Sequence, residues 1–262
     1  MGFAEIGQHL DYVFLLFLRV SGILISSPVF GRSNIPNAYK IGFCVVITGI
    51  FIMGLPGPEV FPFYGSLLEY ILICIKELLF GAAMGYVLTA MFNITMTAGS
   101  IIDSQIGFSL ASIYDPQNNT HAPLSGGLLN IMLLIIFFSV DGHLKLIEIL
   151  YRTLEIVPIG QAVAAPNIAW VSAEVMSRTF VLAVMVAMPV LAAGIFLEVA
   201  LGVIIRTVPQ MNMFVVGIPL KLLIGILALG LTLTVFADFS KTIFNEAFNY
   251  IGLMFDNLIQ AG

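Results

Sequence analysis

Thr179–Leu197 reads TFVLAVMVAMPVLAAGIFL and passes from Arg178 to Glu198 without one ionisable side chain. A helix needs about 20 apolar residues to cross the roughly 30 Å hydrocarbon core of a bilayer, and this stretch meets that length. Working outward, Ile41–Pro58, Leu78–Ile102, Ala122–Val140 and Leu222–Ala237 are equally empty of Asp, Glu, Lys and Arg, and Tyr12–Gly31 is interrupted only by Arg19. None shows the alternating pattern of a barrel strand, and backbone groups in hydrocarbon must pair within their own segment, so helices are expected. The intervening segments Gly31–Tyr39, Pro56–Tyr64, Asp103–Pro123 and Val157–Pro166 are rich in Pro, Gly, Asn or Ser and read as turns. The expected fold class is all-α: a polytopic integral membrane protein of six to eight helices.

Composition agrees. Of 262 residues 60% are apolar and 10% charged, against about 45–50% and 25% in soluble domains. Lipid or apolar subunits must therefore cover the surface. The net charge of -5 is spread singly, with no basic patch for nucleic acid. Cys44 and Cys74 lie in apolar runs, where a thiol acts as a small hydrophobe, and build neither a disulfide framework nor a metal site. No Lys or Arg precedes Arg19 and no small-residue cleavage site follows the first run, so that run is expected to be retained. Arg32, Lys40, Arg206 and Lys221 flank two connections, whereas Glu5, Asp11, Glu59 and Glu69 lie on the segments opposite. The positive-inside rule then puts residues 31–40 and 206–221 in the cytoplasm and both termini outside.

No catalytic constellation emerges. His9, His121 and His143 are the only histidines, no phosphate-binding loop is present, and Ser125 before Gly126 and Gly127 has the context of helix packing instead of a nucleophile. No enzyme activity, metal or cofactor is expected. Charges inside apolar runs are costly and face partners or water-filled paths. Arg19, Glu69, Lys76, Glu77 and Glu198 form that set, as buried charges or subunit contacts, with Glu69 and Lys76 sharing a helix face. Gly81 and Gly85 permit close helix approach. Asp141–Glu155 alternates charges at three- and four-residue spacing, and Phe239–Ile259 carries an apolar stripe opposite Lys241, Asn245 and Asn249, so both read as amphipathic helices. The loop Ile106–Pro123 sets Gly107, Phe108, Leu110, Ile113, Asp115 and Pro116 between two uncharged runs. It is either a buried re-entrant loop or a hydrophobic constriction that gates by excluding water.

These residues together resemble a known family, the R-type (FliR) export-gate subunits of the flagellar type III secretion apparatus, whose injectisome counterpart is the T-type component. The resemblance runs over nearly the whole chain. It is carried by Arg19 with Ser27-Pro28, Ile35-Pro36 before Lys40 and Gly42, Lys76-Glu77 through Gly81, Ile106-Gly107-Phe108-Ser109 to Asp115-Pro116, Asp141-Gly142-His143-Leu144 leading to Pro158-Ile159-Gly160, and Arg206 through Pro219 with Pro209, Gln210, Asn212, Phe214 and Gly217. The resemblance implies a subunit that assembles with P-type and Q-type subunits (FliP, FliQ) into an export gate at the flagellar basal body in the bacterial inner membrane. It implies a P-type-like part over residues 1–165, with the loop 106–123, and a Q-type-like helical hairpin with a C-terminal amphipathic helix over residues 166–262. It assigns Gly107, Phe108, Leu110 and Ile113, closed by Asp115 and Pro116, to a plug across the lumen through which unfolded flagellar proteins pass. Leu110 and Ile113 stand where the family often has aromatics. The turn Arg206–Pro219 would face the cytoplasm, near the switch protein (FlhB). The competing reading from composition alone is a small-solute transporter, which would call for an inverted repeat that this sequence does not display.

Overall fold

The computed structural model describes residues 3–54, 64–108, 123–161, 168–208 and 212–259, and among them every regular element is an α-helix. The seven are α1 (Phe3–Ser26), α2 (Asn37–Gly54), α3 (Leu67–Ile106), α4 (Leu124–Ser139), α5 (Gly142–Ile156), α6 (Ile168–Thr207) and α7 (Met213–Ile259). Five of them, α1, α2, α3, α6 and α7, are long and apolar enough to cross a membrane, and α4 with α5 makes a sixth if that bent pair counts as one span.

Local chemistry sets several boundaries. α1 stops where the Ser27 hydroxyl donates back to Leu24 O at 2.9 Å and accepts from Phe30 N–H at 3.2 Å. Pro28 has no N–H with which to continue. At the start of α3, Glu69 N–H donates to the N-cap Ser66 Oγ, while the Glu69 carboxylate reaches one residue further back and accepts from Gly65 N–H at 2.6 Å. Just before it, the Tyr64 hydroxyl donates to Asp11, which raises the phenol above its ordinary pKa. At the start of α5, Asp141 has φ 55°, in the left-handed region that Asp tolerates better than most side chains.

The residues divide into two compact units, neither of them contiguous in sequence. One comprises α1, α2, the first part of α3, α5, the start of α6 and the end of α7. Its core includes Leu16, Val20 and Ile23 of α1, Phe51 of α2, Met84 and Val87 of α3, and Leu150 of α5. Gly22 and Gly81 let α1 and α3 touch backbone to backbone, since a Cβ on Gly81 would lie 2.3 Å from Arg19 O, and Gly85 meets Ser26 in the same crossing. The other unit holds the second part of α3, α4, and most of α6 and α7, around Phe92, Leu129, Leu133, Phe137, Phe236 and Phe244.

Two expectations change in detail. The turn expected over Arg206–Pro219 is confined to residues 208–212, because α6 runs through Arg206 to Thr207 and α7 starts at Met213, which puts Phe214, Gly217 and Pro219 inside the helix. The amphipathic stretch Phe239–Ile259 is not a separate helix but the last part of α7, with Ile243, Phe244, Ala247 and Ile251 buried and Lys241, Asn245 and Asn249 exposed. α6 and α7 run antiparallel: Lys221 Nζ meets Glu198 at 2.7 Å and the Tyr250 hydroxyl donates to Glu174 at 3.4 Å, two pairs that both straddle the 208–212 connection.

Candidate functional site: a clasped loop and a buried ion pair

α3 and α4, the helices that flank the loop singled out in the sequence, form an antiparallel pair. Phe92 meets Phe137 edge to face at 5.7 Å, and Asn130 Nδ2 donates to Thr95 Oγ1 at 3.1 Å. Gly99 lies so close to Gly126 that a Cβ on it would stand 2.1 Å from the Gly126 Cα. Asp103 then closes the base. Ser125 N–H donates to its carboxylate at 3.2 Å and the Ser125 hydroxyl donates to the same oxygen, with both residues buried. α4 needs this. Its N-cap position is Pro123, which has no side-chain acceptor, so the carboxylate from α3 satisfies the N-terminal N–H and faces the positive end of the helix dipole. Gly107, at φ 99°, ends α3 in the left-handed conformation that glycine adopts without cost, its N–H donating to Asp103 O at 2.9 Å. Phe108 follows, partly buried. Leu110, Ile113, Asp115 and Pro116, expected from the resemblance to belong to a plug, lie outside the described residues, as do Pro209 and Gln210 of the expected hairpin turn, whereas Asn212 is exposed immediately before α7.

The last turn of α3 rests on α6 and α7. A Cβ on Gly194 would fall 2.6 Å from Gln105 Cγ, and one on Gly225 would fall 2.6 Å from Ile106 Cγ1, so each glycine is a notch that receives one of two consecutive side chains. One helical turn along from the notches stand Glu198 on α6 and Lys221 on α7, paired at 2.7 Å. Gln105 Nε2 donates to the same Glu198 oxygen at 3.4 Å. Glu198 is half-exposed, not buried.

A second cluster holds the other unit together. Arg19 and Glu77 are completely buried, with Arg19 Nε donating to Glu77 Oε2 at 2.6 Å and Nη2 to Oε1 at 3.1 Å. The remaining guanidinium hydrogens go to the carbonyls of Thr153 at 3.2 Å, Val157 at 2.7 Å and Pro158 at 3.4 Å. Arg19 thus makes five bonds, the full donor capacity of the group, at the C-terminal end of α5 where a cation is favoured. Gly160, at φ 87°, turns its N–H onto Glu77 Oε1 at 2.8 Å, and the Phe80 ring lies 4.7 Å below the guanidinium carbon. Arg19, Glu77, Phe80, Gly81, Pro158 and Gly160, scattered through the sequence, converge here. Glu69 and Lys76 are exposed instead, Glu69 serving the start of α3.

In the sequence Arg19 and Glu77 stand as separate charges, 58 residues apart, with nothing local to pair them. The signal was available: two opposite charges, each inside an otherwise apolar helix, have strong reason to meet. Asp103 and Gln105 border the turn-like segment Asp103–Pro123, so the sequence does not set them apart from it, whereas the structure places both on the last turns of α3.

The profile of the bacterial export proteins, family 1, matches residues 10–247. The chain belongs to this family. Among its relatives is a protein of Bacillus subtilis (strain 168) named flagellar biosynthetic protein FliR, 32% identical over 236 residues covering 88% of this chain and 89% of that one. A protein of the same name from Escherichia coli (strain K12) is 30% identical over 249 residues, 93% of this chain and 94% of its own length. A third, from Aquifex aeolicus (strain VF5), is 27% identical over 260 residues, 97% and 96% of the two chains. Membership of this export family thus covers both α3–α4 with its clasped base and the Arg19–Glu77 cluster, which all fall within the matched residues.

Proposed function

We propose that this chain is a non-enzymatic subunit of the flagellar type III protein export gate, forming with P-type and Q-type subunits the channel through which unfolded flagellar proteins leave the cell. The flagellar part follows the names of its relatives. The subunit part is carried by one observation. α6 exposes large apolar side chains from Trp170 to Ile204, a band of about 50 Å at 1.5 Å per residue, whereas a bilayer core is only about 30 Å thick. Lipid can cover little more than half of such a band, so other apolar protein surfaces cover the remainder. A self-sufficient transporter would have no use for the excess.

In this reading residues 1–165 are the P-type-like part and 166–262 the Q-type-like hairpin, with the 208–212 turn toward the cytoplasm and the switch protein. The loop from Gly107, through Phe108, Leu110 and Ile113 to Asp115 and Pro116, plugs the closed lumen in the inner membrane at the basal body. Its clasped base supports that role, because a plug must be anchored at both ends to seal. Deleting residues 108–113 is expected to leave the complex assembled while its resting ion conductance rises above wild type. Wild-type conductance in that deletion would remove the plug from the account.

A further inference from the structure

We propose that the outward face of α3 between Leu68 and Leu79 is a docking surface for one helix of a different subunit, and that this helix brings a carboxylate to Lys76. The inference rests on the subunit reading above and adds where a partner sits and what chemistry it carries.

α3 exposes a stripe at coiled-coil spacing. Leu68, Leu72, Ile75 and Leu79 follow one another at four, three and four residues, and each is between 47% and 67% exposed. That alternation keeps a seam turned toward a second helix. Ile71 and Leu78 widen the stripe along one flank, while Glu69 and Lys76, one heptad apart, line the other. Glu69 accepts the Gly65 N–H, whereas Lys76 makes no hydrogen bond or ion pair among the described residues.

The height of Lys76 makes its isolation costly. α1 and α3 lie side by side and parallel, with Asp11 bonded to Tyr64, Arg19 to Glu77, and Ser26 O accepting from the Thr89 hydroxyl. Lys76 therefore stands level with Arg19, about two helical turns from Asp11 in one direction and from Ser26 in the other. A four-carbon stem does not span two turns to reach water, and a lone cation at this depth in hydrocarbon is strongly unfavourable. The apolar stripe by itself selects no partner, because lipid tails are as apolar as leucine. The cation does select one, since only a covering that supplies an acid leaves no charge alone.

A second copy of this chain does not supply it. In a parallel pair of identical helices the Lys76 flank would face the flank of Ile71 and Leu78, which has no acid. The occupant is a different chain: an apolar helix with a seam at heptad spacing and one Asp or Glu beside that seam.

The test is assembly of the complete complex, read as the share of tagged chain that migrates at its full mass. Lys76→Leu has opposite expected signs under the two coverings. Against a partner carboxylate it strands a buried acid and should lower assembly about tenfold, with Lys76→Arg close to wild type. Against lipid it removes a charge from hydrocarbon. Assembly of Lys76→Leu as complete as wild type, or more so, would therefore overturn the docking surface and leave the subunit reading standing. A wild-type chain that enters no complex would overturn the subunit reading, and the docking surface with it. Should Lys76→Leu reduce the amount of chain in the membrane, a photocrosslinker decides with Lys76 intact: p-benzoylphenylalanine in place of Leu72 or Leu79. It should give an adduct with a helix of another subunit that carries Asp or Glu within about two turns of the attachment point. Adducts with lipid alone, or with a helix that has no acid there, would contradict the proposal.

Discussion

Replacing Arg19 with leucine is expected to remove the chain from the membrane fraction. The substitution leaves the Glu77 carboxylate fully buried beside the Gly160 N–H but without its cation, and it takes the Arg19 donor from the Val157 carbonyl at the end of α5. Breaking a buried pair from one side costs about 3–5 kcal/mol, a large share of the stability of any domain. Arg19→Lys keeps the charge but has neither the planar fork nor the donors to serve Glu77 and three carbonyls together, so it should be recovered at an intermediate level. The double substitution Arg19→Leu, Glu77→Leu should recover more chain than Arg19→Leu alone, because no charge is then left without its partner. Quantitative recovery of tagged chain from membranes checks all three. Arg19→Leu at wild-type level would mean that the pair is incidental to folding.

Gly99→Ala should be nearly as damaging despite adding a single methyl group. That methyl would stand 2.1 Å from both the Cα and the N of Gly126, and the obstruction is backbone, which cannot swing aside. α3 and α4 would have to separate by more than an ångström, pulling Asp103 from Ser125 and Phe92 from Phe137. Overpacking of this kind costs about 1–3 kcal/mol, and here it falls on the helix pair that carries the loop. The same change at Gly127, where a Cβ would meet nothing within 4 Å, should be silent. Thermal stability of the detergent-solubilised complex compares the two. Equal melting of Gly99→Ala and Gly127→Ala would contradict the close approach.

How far the sequence reached depended on whether a feature was local. Uncharged runs announced the spanning helices, because the absence of charge over about 20 residues is itself the requirement for crossing. Helix ends were less legible. The run Thr179–Leu197 belongs to a helix reaching from Ile168 to Thr207, and Leu78–Ile102 to one from Leu67 to Ile106. Glu, Lys and Arg end an apolar run without ending a helix, since they are good helix formers. Proline misled in the same way, for Pro219 sits inside α7 and had marked the turn. Contacts across the chain were the least legible. Arg19 and Glu77 are 58 residues apart, and Asp103 and Ser125 are 22 apart. Their pairing follows from helix register in space, which no single stretch of sequence states. The resemblance to a family brought Arg19, Glu77, Gly81, Pro158 and Gly160 to notice as motif fragments, and the structure supplies the physical reason they belong together.

We propose that this chain is one subunit of an export gate. It is tested most directly by the native mass of the tagged chain in mild detergent, expressed alone and together with the P-type and Q-type subunits of its own operon. The expected result is poor recovery of the chain alone and, with those partners, a single copy in a large complex of defined mass. A monodisperse monomer or dimer whose mass ignores the partners would contradict it.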